Sequence, residues 1–503
     1  MNTIKTIFSI LLVSLVISLF GTGPVRAQEK KQLQVVTSFY PIYEFTKAVV
    51  GDTGQVSLLI GAGTEVHEFE PSTKTIAKLQ AASDFVYLDD SMETWVEKTR
   101  KSLNHKTLTV IKASGNMILA AGTETEEEHA SEGHSHAYDP HLWLSPARAQ
   151  TLVENIRDGL IKAHPELAET LTKNAAKYLE KLQALDKDYR EALGQAKQKS
   201  FVTQHAAFGY LALDYGLKQV AITGVSADAE PSAKRLVELS RYVKKYQIKY
   251  IYFEENASQA LAKTLAEEVG VTTAVLNPLE SLTKKQIQAG QDYFSVMRAN
   301  LAALRLTTDL AGKEISPEHN SDQTVEKGYF KDKDIKDRTL ADWSGNWQSL
   351  YPYLLDGTLD PVWDYKAKSK QDMTAQEYKD YYTKGYQTDV EKISIDGHKK
   401  TMTFVQKGVK KTFSYRYVGY KVLTYPKGNR GVRYLFESQD KDAGQFKYVQ
   451  FSDHGIAPQK AEHFHLFWGS DSQEALFKEL ENWPTYYPDK LSGHDIAQAL
   501  VAH

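Results

Sequence analysis

The 503-residue sequence contains no cysteine. No disulfide can form, no metal site can be built on thiolates, and no thiol is available to carry a lipid. Stability therefore has to come from packed cores. An excess of positive charge is also lacking: 61 lysines and arginines stand against 64 aspartates and glutamates, a formal net charge of −3. That argues against a nucleic-acid partner, which needs a basic face. Long apolar runs are missing except at the start of the chain. There Lys5 precedes an apolar run from Ile7 to Phe20, and Val25-Arg26-Ala27 has the small-x-small form of a cleavage site. This reads as a signal peptide over residues 1–27, since a membrane span needs about 20 apolar residues. An uncleaved N-terminal anchor is the alternative. Cleavage after Ala27 removes two cations, Lys5 and Arg26, and no acid, so the net charge goes from −3 to −5.

Hydrophobic residues make up 42% of the chain and aromatics 11%, which suits a folded protein with more than one core at this length. Short apolar runs alternate with helical stretches in the first three-fifths. The candidate strands are 33–36, 56–60, 85–88 and 108–111, then 201–203, 219–222, 250–253 and 273–276. Strands alternating with helices predict parallel α/β sheets, and two groups of four predict two lobes, about 30–145 and 198–311. Ser145-Pro146 reads as an N-cap with proline at the first helical position. After Pro165, Leu167, Leu171, Ala175, Tyr178, Leu182, Leu185 and Tyr189 recur at helical spacing. About 30 residues in one helix would span roughly 45 Å and brace the lobes. Residues 28–313 thus form the first domain. The polar stretch 314–327 reads as a linker, and 328–503 as a mostly β domain, a small barrel, with a hairpin turn at Asp396-Gly397.

Among 15 histidines, a few sit where chemistry is expected. His67, His205 and Glu280 follow candidate strands, and His141 precedes a helix in Asp139-Pro140-His141. Parallel α/β sheets bind ligands beyond the carboxyl ends of their strands. Three imidazoles and one carboxylate suit Zn²⁺, whereas Ca²⁺ takes more oxygens. Spacing alone does not show that four such distant residues meet, and a lone loop histidine is usually no ligand. In the second domain, His463-Phe464-His465 puts two imidazoles on one face of a strand, with His454 just upstream, a plausible three-histidine zinc site. His129, His134 and His136 lie in the acidic stretch Thr123–Ala137, which is either a weak metal-capture loop or a solvated one. Glu254-Glu255, near a strand end, reads as a solvated pair, with support of the metal ligands or a domain-interface role as the alternative; Tyr378, Tyr381 and Tyr382 read as core, and Lys244-Lys245 as surface charge.

The segments around His67, His141, His205 and Glu280 resemble those of zinc-specific solute-binding proteins of ABC importers, the ZnuA-like group, over about residues 30 to 311. The resemblance implies two α/β lobes joined by a rigid helix, with Zn²⁺ held between them by those four residues. Manganese-binding relatives typically carry an acid where this chain has His205. The fourth ligand is often aspartate in the group, and Glu280 is longer. Ser452-Asp453-His454, His463-Phe464-His465 and Asp342-Trp343-Ser344-Gly345-Asn346-Trp347 resemble the ZinT family, exported zinc-binding proteins with a lipocalin-like (calycin) barrel, over about 328 to 503. This implies a second zinc site at His454, His463 and His465. Together the two halves resemble the fused zinc-binding proteins of streptococcal-type importers. The function implied is capture of zinc at the cell surface and its delivery to an ABC permease and ATPase, without catalysis. The alternatives are a surface zinc buffer or adhesin, and an exported zinc hydrolase. Against the last, His67-Glu68 is followed by Phe69-Glu70-Pro71, so no His-Glu-x-x-His motif is present there. Without a cysteine, the chain is retained by its signal segment, held by its permease, or released. Because free histidine titrates near about 6.5, zinc is expected to leave as pH falls through about 6 to 5.

Overall fold

The computed structural model describes residues 32–502 apart from 63, 65, 102, 104–107, 123–137, 223–232, 255–262, 264, 265, 269, 313–323, 326, 426 and 427. The expected signal segment, most of the expected linker and the loop carrying His129, His134 and His136 lie outside these residues. Within the described residues, the first sheet is parallel in the order β2-β1-β3-β4, from Leu33–Thr37 (β1), Gly54–Leu58 (β2), Asp84–Tyr87 (β3) and Thr109–Lys112 (β4). A second parallel sheet has the order β6-β5-β7-β8, from Ser200–Thr203 (β5), Lys218–Ala221 (β6), Tyr250–Phe253 (β7) and Thr272–Val275 (β8). All of the candidate strands of this half form.

Helices α1 (Tyr40–Val50), α2 (Pro146–Ala163), α3 (Ala168–Leu193), α4 (Gly209–Asp214) and α5 (Tyr293–Thr308) pack around these sheets. Ser145 caps α2, its hydroxyl accepting from the backbone N–H of Arg148. The long helix is shorter than expected: α3 has 26 residues, about 39 Å. The reason is local. Pro165–Leu167 closes as a separate 3₁₀ turn, so the α-helix starts only at Ala168. The buried stripe Leu171, Ala175, Tyr178, Leu182, Leu185, Tyr189 keeps the helical period. Along it, Asn174 donates to Val49 O in the first lobe at 3.1 Å, and the Tyr189 hydroxyl donates to Met297 O on α5 at 2.7 Å. One helix thus fastens both lobes, and a single apolar cluster runs through them from Leu33 to Leu304.

The second domain is a closed antiparallel barrel of eight strands among the described residues: Gly345–Ser349 (β9), Val390–Asp396 (β10), Thr401–Gln406 (β11), Val409–Thr424 (β12), Arg430–Ser438 (β13), Tyr448–Ser452 (β14), Phe464–Gly469 (β15) and Thr485–Pro488 (β16), with β16 pairing back to β9. The β10–β11 hairpin turns where Asp396-Gly397 predicts it, and Asp396 Oδ1 accepts from the N–H groups of His398 and Lys399. Trp343, Trp347, Phe404, Tyr434, Phe451 and Phe464 fill the interior. A second apolar layer lies between the barrel wall and helices α6 (Asp360–Lys370), α7 (Ala375–Tyr386) and α8 (Gly493–Ala502). Tyr378 is buried there and Tyr382 half-buried, but Tyr381 is 53% exposed, which corrects the reading of all three as core. Ile118 of the first domain packs into the same layer, so the two domains touch.

Candidate metal centres

The first cluster forms where the two sheets present the carboxyl ends of their strands. His67 follows β2, His205 follows β5, Glu280 follows β8, and His141 leads into α2 through the short turn Leu142–Leu144. Each loop is held by its own hydrogen bonds. The carbonyl of His205 accepts from Thr203 Oγ1 at 2.8 Å and from Gln219 Nε2 at 3.0 Å. Before Glu280, Leu279 has a left-handed φ of 57°. Its N–H donates to Asn277 Oδ1 at 2.7 Å, and buried Asn300 clamps Asn277 through both backbone groups. Trp143 Nε1 donates to Pro278 O at 2.7 Å, which ties the His141 loop to the Glu280 loop.

All four expected residues converge. From a single carboxylate oxygen, Glu280 Oε1, the Nε2 atoms of His67 and His141 lie at 3.5 Å and that of His205 at 3.7 Å. Ligand atoms about 2.0–2.1 Å from a tetrahedral Zn²⁺ stand roughly 3.3–3.4 Å apart, so these are close to the edges of such a tetrahedron. The ligand atoms of His67, His141 and Glu280 lie within 4.8 Å of one another. All four side chains are buried, and His141 Nε2, His205 Nε2 and Glu280 Oε1 have no hydrogen-bond partner among the described residues. Buried polar atoms left unpaired are costly, and a cation at their common focus satisfies them together.

Two carboxylates orient the imidazoles from behind. Asp139 Oδ1 accepts from the backbone N–H of His141 at 2.9 Å and meets its ring Nδ1 at 2.8 Å. Glu254 Oε1 hydrogen-bonds His205 Nδ1. A carboxylate can only accept, so each Nδ1 carries the proton and each Nε2 offers its lone pair inward. Glu254 is therefore buried against His205 and is not the solvated residue expected from the sequence; Glu255 lies outside the described residues. In the sequence Glu254 directly follows the candidate strand 250–253; that this strand, β7, lies beside β5 is decided by the sheet. Asp139 also depends on Gly209, where a Cβ would stand 2.7 Å from Asp139 Oδ2.

These carboxylates shift the pH window. Burial opposes a charged His141, but the Asp139 and Glu280 carboxylates outweigh it and push the imidazole up to about 9. His205 is also raised, burial again being outweighed, here by Glu254 and then Glu280. Glu280, despite burial, is held well below the usual carboxylate range by the imidazoles. The metal-free site thus keeps a proton on His141 at neutral pH, and zinc has to displace it. Zinc affinity at this site is expected to rise with pH up to about 9 and to fall below it, well above the window of 6 to 5 that free histidine predicts. Zinc binding at pH 7 is expected to release between about one and two protons from this site. Titration calorimetry in buffers of different ionisation enthalpy measures this, and an affinity that does not change between pH 6 and 8 would refute it.

The second cluster lies at one end of the barrel, where β14 ends and β15 begins. His454, His463 and His465 have ligand atoms within 4.8 Å of one another, and the Nε2 atoms of His454 and His465 are 3.4 Å apart. His465 lies on β15 opposite Thr485 of β16. Its Nδ1 is 2.7 Å from Thr485 Oγ1, which spends its own proton on Trp483 O at 2.9 Å. Nδ1 of His465 is therefore the donor, and Nε2 is left for a metal. His463 stacks on Tyr487 with ring centroids 5.2 Å apart. His454 has a left-handed φ of 63°. Asp453 beside it accepts from Gly455 N–H at 3.2 Å and from Arg338 Nη1 at 2.6 Å. Arg338 also donates to Asp342 Oδ2 at 2.8 Å and lies over the Trp343 ring. The Asp342-Trp343 motif thereby supports the turn that carries His454, a role its sequence does not reveal.

Residues 35–306 match the family model of the periplasmic zinc-uptake complex component A (ZnuA), and residues 321–503 match that of ZinT (YodA), described as periplasmic, lipocalin-like and zinc-recruiting. Zinc-binding protein AdcA of Streptococcus pyogenes serotype M18 (strain MGAS8232) is 63% identical over 510 residues, covering 98% of this chain and 99% of the relative. The chain belongs to the AdcA family of zinc-binding proteins. In this family, zinc-binding lipoprotein AdcA of Streptococcus pneumoniae serotype 4 (strain ATCC BAA-334 / TIGR4) is 62% identical over 499 residues, 98% of this chain and 99% of the relative. The crystal structure of Zn(II)-bound AdcA from Streptococcus pneumoniae superposes with a TM-score of 0.86 at 63% identity, covering 94% of this chain and 100% of that one. The chain is accordingly an exported zinc-binding component of an ABC-type zinc-uptake system, with a ZnuA-like α/β domain and a ZinT-like barrel. Among the described residues no helix is long and apolar enough to cross a membrane.

Proposed function

We propose that the chain binds two zinc ions, one per domain, at the outer face of the cell membrane, and passes zinc to a permease driven by an ATPase. His67, His141, His205 and Glu280 hold the first ion; His454, His463 and His465 hold the second. The observation that carries the reading is the convergence of three imidazole Nε2 atoms on one Glu280 oxygen at 3.5, 3.5 and 3.7 Å. Three neutral nitrogens and one carboxylate favour zinc over the harder Ca²⁺ and Mg²⁺. With four protein ligands, the first site has no position for a reacting water, which speaks for carriage and against hydrolysis. The second offers three neutral ligands and is the weaker. Zinc is cargo here, and the barrel supplies it to the first domain. Tethered sites see each other at an effective concentration of about millimolar.

Anaerobic zinc titration of the mature protein, with elemental analysis, tests the stoichiometry. Two zinc ions per chain are expected, and one per chain in a His463→Ala/His465→Ala variant. Two ions retained by that variant would remove the barrel histidines from the ligand set. Zinc uptake abolished by deleting this chain's gene, but restored by the His205→Ala variant at low zinc, would favour a surface buffer or adhesin over a carrier.

A further inference from the structure

Among the described residues, two polar grips hold the second domain on the first beside the apolar contact of Ile118, and they act near the two ends of the segment that carries His141. At one end, the Gln498 amide on α8 is buried against Leu119: Leu119 N–H donates to its Oε1 at 2.8 Å, and its Nε2 donates to Leu119 O at 2.7 Å. The next residue, Ala120, is bound directly to the His141 segment. Its carbonyl accepts from Asp139 N–H at 2.9 Å. Its N–H donates to the Tyr210 hydroxyl at 2.8 Å, which donates in turn to Asp139 O at 2.6 Å. Asp139 then holds both the backbone and the ring of His141.

At the other end, Lys368 on α6 reaches Asp214 Oδ1 at 3.2 Å. Asp214 Oδ2 accepts from Ser145 Oγ, the cap of α2, at 2.8 Å, and from Arg148 Nε at 2.7 Å. Between the two grips lies a cavity of about 170 Å³ whose walls include Asp139 from the first domain and Tyr365 from α6. A buried amide pairing both polar groups of one residue is specific, because loss of either partner strands the other.

We propose that the barrel domain braces the His141 segment through Gln498 and Lys368, which act as positioning residues, and so slows zinc release from the first site. The brace rests on His141 being a ligand of that site. It also gives the fusion of the two domains a role besides zinc capture: the second domain sets how long the first keeps its ion.

The test uses the full chain in the His463→Ala/His465→Ala background, so that only the first site reports. Zinc release is followed by stopped flow into excess chromogenic chelator. Gln498→Leu and Lys368→Met are each expected to speed release roughly 3- to 10-fold, less than the 10–100-fold typical of groups bonded directly to a ligand, since both act through further links. Lys368→Arg, which keeps the pair with Asp214, is expected to restore the parent rate, which a general loosening of the fold would not do. Parent rates in both Gln498→Leu and Lys368→Met, or equal acceleration by Lys368→Met and Lys368→Arg, overturn the brace. A background that binds no zinc refutes the first site itself, and the brace with it.

Discussion

His205→Ala is expected to weaken zinc binding at the first site by more than about 100-fold, beyond the 10–100-fold range of changes one bond further from a metal. The substitution removes one of the four groups around the focus near Glu280 Oε1 and leaves Glu254, buried against the vanished ring, without its partner. Both effects act in the same direction: one ligand fewer for the ion, and an uncompensated buried carboxylate in the bound state. Chelator competition in the His463→Ala/His465→Ala background measures it. Glu254→Gln provides the scale, because it keeps the imidazole while weakening its support, and about 10–100-fold is expected for it. Equal zinc affinity in wild type and His205→Ala would take His205 off the ligand list.

In chelated medium, His463→Ala/His465→Ala is expected to slow growth only when zinc is very scarce, whereas His205→Ala fails under milder limitation. The asymmetry follows from the ligand sets. The first has four members including an anion; the second has three neutral imidazoles, with His454 exposed. On the proposed reading, the barrel site with its exposed His454 collects zinc and the buried four-membered site retains it for presentation. Wild-type growth of the barrel variant at every zinc level would show that the barrel has another task. Failure as severe as that of His205→Ala at moderate zinc would reverse the hierarchy and make the barrel site obligatory. The domain contact bears on this as well. Gln498 and Lys368 hold the barrel against the first domain, so the tether is not the sole means of keeping the two sites near each other.

The strands of both lobes, the capped start of α2 and the stripe of α3 were legible in the sequence, because hydrophobic period and capping chemistry are local properties. Helix length was less so: whether Pro165–Leu167 joins α3 or closes separately depends on a single turn. Among the site residues, the histidines and Glu280 stood out by residue type and by their places after strands. The separation of 138 positions from His67 to His205 carries no distance, however, and only the packing of two sheets against one shared core brings their Nε2 atoms to the same oxygen.

Composition alone determined that this chain has no disulfide and no thiolate ligand, and residue type determined that nitrogen and carboxylate ligands of the kind zinc prefers were available. What the tertiary structure decided is which neighbours those ligands have. Glu254 changed from an expected surface residue to the support of His205, because β7 lies beside β5 in the sheet. Asp139 fixed the tautomer of His141, and together with Glu280 it outweighed burial and pushed the imidazole up to about 9. Arg338 joined Asp342, four residues on, to Asp453 beside His454, 115 residues on. Apart from the Asp139–His141 pair, two residues apart, each of these is an electrostatic contact across distant segments. Its strength depends on separation and burial, neither of which is encoded in residue order until the chain has folded.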